Sequence, residues 1–177
     1  MQPLHIGHIG MIKKALSEND RVIILIGSAN KEGTTRNPIG IDIRREILEE
    51  TLQEEFKEER QRIIVKELPD WSEETDIASN LEWGRYLYYN VVSVTCQKDF
   101  SMYFSDEPEI IENWFQDDNI RKRVNLKLFE RSNMFEAVSS TKIRKAFIEN
   151  DKIYIEKSTS KAVQKRYEII REILLKI

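Results

Sequence analysis

Cysteine is nearly absent from this 177-residue chain. Cys96 stands alone, which excludes an internal disulfide framework and a cysteine-based zinc cluster. Histidine is almost as scarce: His5 and His8 are the two, and no histidine-rich metal site can exist elsewhere. Long apolar runs are missing as well. Stretches such as Val22–Ile26 fall far short of the about twenty residues that cross a bilayer, so no membrane partner is expected. The start of the chain shows no charged stretch followed by an apolar one, and the expected compartment is the cytoplasm. Nor is there a surplus of either charge. Lys and Arg number 28 against 31 Asp and Glu, a formal net charge of −3. A nucleic-acid module normally carries a basic surplus, so no nucleic-acid partner is expected. A small anionic ligand held by a few local cations is compatible with that balance.

What is present is the composition of a folded domain, 40% apolar and 33% charged. No repeat, low-complexity tract or Gly/Ser linker interrupts it, and the length predicts a single domain over residues 1–177. Strand-like and helix-like stretches alternate, which predicts an α/β architecture. A helix is expected from about Gly7 to Ser17. Arg21–Gly27 is continuous and β-branched, as a parallel strand buried on both faces would be. Ile43, Ile47, Leu48, Thr51, Leu52 and Phe56 recur at helical spacing. Arg62–Leu68, Phe100–Phe104 and Val124–Leu128 read as further strands, with helices at Ile77–Val94 and Pro108–Phe115. Residues 69–76 read as a loop. A helix opens at Ser139, and an amphipathic helix closes the chain over about 161–177.

Three stretches carry chemistry. The first is Gln2–Pro3–Leu4–His5–Ile6–Gly7–His8, two histidines around a glycine where a helix begins. A helix N-terminus favours phosphate, histidines there can donate to a polyphosphate, and Gly7 lets the backbone approach a ligand closely. The second is Ser139–Ser140–Thr141–Lys142–Ile143–Arg144. Ser139 or Ser140 can cap the helix, and Arg144, one turn in, offers a forked donor to the same anion. The third is Gly27–Ser28–Ala29–Asn30–Lys31 with Thr34, Asn37, Pro38 and Arg44, just past the C-terminal end of a strand, where open α/β sheets bind ligands. Taken singly, each also fits a blander role: surface histidines at a frayed end, an ordinary capped helix, a long polar loop.

Taken together they resemble a known family. His5–Ile6–Gly7–His8 matches the HxGH signature of the nucleotidyltransferase superfamily, and Ser139–Arg144 resembles its S-[ST]-T-x-x-R signature. In detail the chain looks most like the archaeal-type nicotinamide mononucleotide (NMN) adenylyltransferases, a form that also occurs fused to a Nudix hydrolase. The mark of that group, G-S-A-x-K…T-x-x-N-P…R, is met at Gly27, Ser28, Ala29, Lys31, Thr34, Asn37, Pro38 and Arg44. The resemblance implies a Rossmann-like open parallel sheet with helices on both faces. It implies in-line transfer of adenylate from ATP to NMN, giving NAD and pyrophosphate, with Mg²⁺ arriving on the ATP and no dedicated protein metal site. His5, His8 and Arg144 are the implied catalytic residues. Pro3, Gly7, Ser139, Ser140 and Thr141 are implied at the ATP phosphates. Gly27, Ser28, Ala29, Lys31, Thr34, Asn37, Arg44 and Trp83 are implied at the acceptor nucleotide. Trp83 is the implied platform for the nicotinamide ring, with Trp71 the second candidate. A homo-oligomer is left open.

The family motif reads G-R-F-x-P-x-H-x-G-H behind a central first strand, and Met1 stands where its Phe would be. The resemblance therefore implies that this strand is missing from the chain. An upstream extension of about ten residues is expected to raise stability and activity. Three other readings stay open: a superfamily transferase with another phosphorylated acceptor, a nucleotide-binding protein without turnover, and an RNA-binding protein, since His5–His8 also spells the HIGH sequence of class I aminoacyl-tRNA synthetases. The chain lacks a KMSKS-like segment and room for a synthetase's further domains. Arg45–Glu50 resembles the core of a Nudix box, but Asn37 and Lys31 stand where the box needs Glu and Gly, and Leu52 where it needs a later Gly.

Overall fold

The computed structural model describes residues 2–70, 79–105, 108–129 and 138–177. In chain order the elements are α1 (Ile6–Glu18), β1 (Val22–Gly27), α2 (Ile41–Glu55), β2 (Ile63–Leu68), α3 (Ser79–Thr95), β3 (Phe100–Phe104), α4 (Pro108–Trp114), α5 (Asp118–Arg121), β4 (Val124–Leu128), α6 (Ser140–Glu149), α7 (Lys152–Ser158), α8 (Lys161–Lys165) and α9 (Tyr167–Leu175). The chain divides into two compact units. One comprises Met1–Asp70 with Arg131–Ile177, and the other Trp71–Glu130.

In the first unit β1 and β2 pair in parallel, with Val22 opposite Ile63 and Gly27 opposite Leu68. Parallel neighbours need a crossover, and α2 supplies it. The apolar spacing foreseen for α2 puts Ile47, Leu48, Thr51 and Leu52 inside. They share a core with Ile9, Ile12 and Leu16 of α1 and Ile24 and Ile26 of β1. Ile143 and Phe147 of α6, Val163 of α8 and Ile170 of α9 complete it, each at 0% exposure. Polar ties fix the remaining edges. The Arg62 guanidinium donates to the Leu16, Asn19 and Asp20 carbonyls at 2.7, 2.7 and 2.9 Å, closing the C-terminus of α1. Thr51 Oγ1 donates to Ser160 Oγ at 2.8 Å inside the unit. Lys165 bonds Glu50, and Arg166 bonds Glu50 at 2.6 Å, joining α8 to α2.

In the second unit β3 and β4 are also parallel, with Phe100 opposite Val124 and Phe104 opposite Leu128. Leu87, Tyr88, Val91, Phe115, Ile120 and Val124 are buried there. A Cβ at Gly84 would collide with the Trp114 carbonyl, so glycine is what lets α3 pass that close to α4.

The α/β architecture with parallel strands agrees with the reading of the sequence, and the strands pair two by two among the described residues. Three local expectations need correction. In β1 only Ile24 and Ile26 are fully buried, while Val22, Ile23 and Leu25 are partly exposed, so the strand is not equally buried on both faces. The closing segment is two helices rather than one. Arg166, at φ −102° and ψ 22°, breaks it while its guanidinium holds Glu50 and Glu46 of α2. The one-turn α5, capped by Asp117, and α7, capped by Asp151, were not foreseen.

Candidate active site

Apart from the two tryptophan candidates, Trp83 and Trp71, the singled-out residues belong to the first unit. His5 is the N-cap of α1, with extended backbone, and its carbonyl accepts from the His8 and Ile9 amides at 2.9 and 3.2 Å. The two imidazoles lie close together and tilted, centroids 3.8 Å apart with 38° between their planes. His5 is 1% exposed, and His8 is half-buried. The His5 amide donates to Nδ1 of His8 at 3.3 Å. A neutral imidazole that accepts at Nδ1 carries its proton on Nε2, so this bond fixes His8 as an Nε2–H donor. Gly7 is buried in the first turn, where helix amides and dipole favour an anion.

The polar stretch after β1 is held from three directions. Ser28 sits in the left-handed region at φ 50° and turns the chain off the strand. Arg44 of α2, 5% exposed, donates to the Gly27 and Ser28 carbonyls at 2.8 Å each. Burial holds its pKa below the ordinary arginine value, and the Asp70 charge offsets only part of that. The Ala29 amide donates to the Leu68 carbonyl at 3.2 Å. Asn30 and Asp70 exchange two bonds of 2.8 Å, and the Lys31 ammonium lies 3.3 Å from the Asp70 carboxylate. The Thr34 amide donates to the Asn37 carbonyl at 3.2 Å, and the Asn37 amide to Thr34 Oγ1 at 2.9 Å. A Cβ at Gly27 would meet no atom of the described residues within 4 Å, so none of them crowds that position.

The third stretch opens α6. Ser139 is the N-cap, its Oγ accepting from the Lys142 amide at 3.2 Å, and Ser140 and Thr141 begin the helix. Arg144 donates to the Gln2 carbonyl at 3.0 Å and to Thr141 Oγ1 at 3.3 Å; burial lowers its pKa. Gln2 opens the first stretch and has no role of its own in the reading of the sequence, yet it joins the three stretches. Its Nε2 donates to Asn37 Oδ1 at 2.8 Å, its Oε1 accepts from the Ile39 amide at 3.0 Å, and Pro3 follows it, also buried.

Through Gln2 the structure thus ties the start of the first stretch by hydrogen bonds to Asn37 and Ile39 and to Arg144 of α6, while the bonds given above for His5 and His8 stay within the start of α1. It gives Arg44 carbonyl partners and Lys31 a carboxylate partner. Trp83 lies in the second unit, its ring 5.4 Å from Tyr86 and edge-on to Trp114 at 6.1 Å. Trp71 lies outside the described residues. Among the described residues no three His, Cys, Asp or Glu side chains cluster as metal ligands. The donor set is imidazole, guanidinium, hydroxyl and helix amide, which suits phosphate oxygens.

The chain matches the family described as cytidylyltransferase-like over residues 1–146. A nicotinamide-nucleotide adenylyltransferase of Saccharolobus solfataricus is 29% identical over 155 residues, 85% of this chain and 76% of that protein. One of Aeropyrum pernix is 36% identical over 92 residues, 49% of this chain and 46% of that protein. One of Thermococcus onnurineus is 38% identical over 86 residues, 49% of this chain and 42% of that protein. In the last two matches the chain spans less than half of the relative's length.

Proposed function

The chain belongs to the cytidylyltransferase-like family, and from that membership we propose that it is an adenylyltransferase joining ATP and NMN into NAD. The observation that carries the proposal is that Gln2, three residues ahead of His5 in the chain, ties the start of the histidine motif to the other two stretches: its carbonyl accepts from Arg144 at 3.0 Å and its Nε2 donates to Asn37 Oδ1 at 2.8 Å. The names of the similar archaeal proteins supply the substrates.

In this mechanism an NMN phosphate oxygen attacks the α-phosphorus of ATP. One P–O bond forms, the bond to the β-phosphate bridge breaks, and pyrophosphate leaves. The nucleophile is already an anion, so no general base is required. Positioning and charge neutralisation carry the reaction. His5 serves the α-phosphate. His8, held as the Nε2–H tautomer, serves the β- and γ-phosphates. Arg144 uses N–H groups beyond those on Gln2 and Thr141, and together with Pro3, Gly7 and the Ser139–Ser140–Thr141 helix start it holds the outgoing pyrophosphate. Mg²⁺ enters as part of the MgATP substrate. Gly27, Ser28, Ala29, Lys31, Thr34 and Asn37 receive the acceptor nucleotide, with Arg44 holding the shape of their loop. Trp83 is proposed as the platform for the nicotinamide ring. Residues 1–177 are proposed as one nucleotidyltransferase domain. The cytoplasm is the proposed compartment; no helix among the described residues is long and apolar enough to cross a membrane.

The test is incubation with MgATP and NMN, following NAD and pyrophosphate together. Equal yields of both are expected. Pyrophosphate released only with a different phosphorylated acceptor would move the protein to another transferase of the family, and no product with any acceptor would end the proposal.

A further inference from the structure

We infer that Gln2 is a positioning residue that sets which end of the Asn37 carboxamide is offered to the acceptor nucleotide. The inference rests on the adenylyl-transfer reading above. Gln2 is 6% exposed, and both ends of its side chain are used. Oε1 accepts from the Ile39 amide at 3.0 Å, a main-chain donor that cannot become an acceptor. That bond fixes the orientation of the Gln2 amide. Nε2 is then the end that meets Asn37, and it can only donate, so Asn37 answers with Oδ1 at 2.8 Å. The remaining end of the half-buried Asn37 amide is therefore its NH₂ group, a donor suited to a phosphate or carbonyl oxygen. The chain of orientation runs from the Ile39 amide through Gln2 to Asn37, and nothing in it depends on a ligand. The main-chain carbonyl of Gln2 meanwhile holds Arg144. A side-chain substitution at Gln2 leaves that contact in place, which separates the acceptor side of the site from the ATP side.

Two variants test this. Gln2→Glu keeps an acceptor for Ile39 but presents a carboxylate oxygen to Asn37. The Asn37 amide must then turn over and offer its oxygen to the ligand. Gln2→Met fills the same space and removes both bonds. KM for NMN and for ATP, kcat, melting temperature and the ¹⁵N–¹H resonances of the Asn37 side-chain amide are measured on the full chain. Gln2→Glu is expected to raise KM for NMN about tenfold, the weight of one hydrogen bond, with KM for ATP and kcat little changed. Gln2→Met is expected to raise KM for NMN less, since it frees the amide without reversing it. An equal rise for both substrates, or none for NMN, would overturn the inference. If the wild-type chain makes no NAD, the adenylyl-transfer reading fails by itself and the resonances decide the role of Gln2. A displaced Asn37 NH₂ pair in Gln2→Glu upholds the orientation, and an unmoved pair overturns it. Should Gln2→Glu not fold, the NMN-against-ATP split and the resonances are read in Gln2→Met.

Discussion

A 3.3 Å bond from the His5 amide decides which nitrogen of His8 carries a proton. Replacing His8 by Ala removes the donor that this bond prepares. Turnover is expected to fall by about a hundredfold or more, the usual cost of one transition-state donor, with little change in melting temperature. Unchanged NAD formation in a folded His8→Ala protein would exclude the role. Trp83→Ala is expected to raise KM for NMN far more than KM for ATP, because a cationic pyridine ring over an indole gains about 0.5–2 kcal/mol. Equal effects would leave Trp83 as the packing partner of Tyr86 and Trp114. Arg44 acts differently from either. Its terminal nitrogens meet the Gly27 and Ser28 carbonyls, so Arg44→Met should lower stability by about 1–3 kcal/mol by leaving carbonyls without their donors, measurable by urea unfolding. These residues differ in how visible they are before folding. His5, Gly7 and His8 stand together at fixed spacing, and their geometry follows from one helix start. Gln2 bonds Asn37 from 35 positions away, and no local pattern encodes such a pair. Arg44 was legible as an important cation, but whether its guanidinium faces a ligand or main-chain carbonyls is decided only when α2 packs beside β1.

Among the elements, β1 and β2 were readable because β-branched runs bounded by polar residues have few alternatives. The start of α6 was readable from its Ser–Ser–Thr cap. Ser139→Ala should cost about 1 kcal/mol by removing the acceptor for the Lys142 amide, seen as a lower urea midpoint. The break between α8 and α9 was not readable. It arises where Arg166 reaches Glu50, 116 positions earlier, while apolar spacing continues past it without interruption. That ionic junction has a pH signature. Hydrogen bonds from Lys165 and then Arg166 hold the Glu50 carboxyl below its ordinary value. A depressed folded pKa stabilises above the unfolded value of about 4.3 and loses that contribution as pH falls through the folded value. Glu50→Gln should therefore be less stable than wild type at neutral pH, and the difference should close in the acid range. A difference that persists unchanged at low pH would show the junction to be steric rather than ionic.

At the scale of the whole molecule, the first unit is assembled from two stretches far apart in sequence. Ile170 of α9, at 0% exposure, packs in the same core as β1 and α2. Ile170→Ala should cost about 2–5 kcal/mol. Against a typical total of about 5–15 kcal/mol, that appears as a large fall in melting temperature. The second unit, by contrast, is one uninterrupted stretch, Trp71–Glu130. The difference sets an order of events on the ribosome. At about 5–20 residues per second, some 2–8 s separate the making of residue 130 from that of residue 170. When that interval opens the nascent β1–α2–β2 segment lacks the α6, α8 and α9 side chains that cover its core, and Ile170 of α9 arrives only as it ends, while every residue of the second unit already exists. The newborn chain thus passes through a stage with half a core uncovered, and it is at that stage that a holdase would find its target.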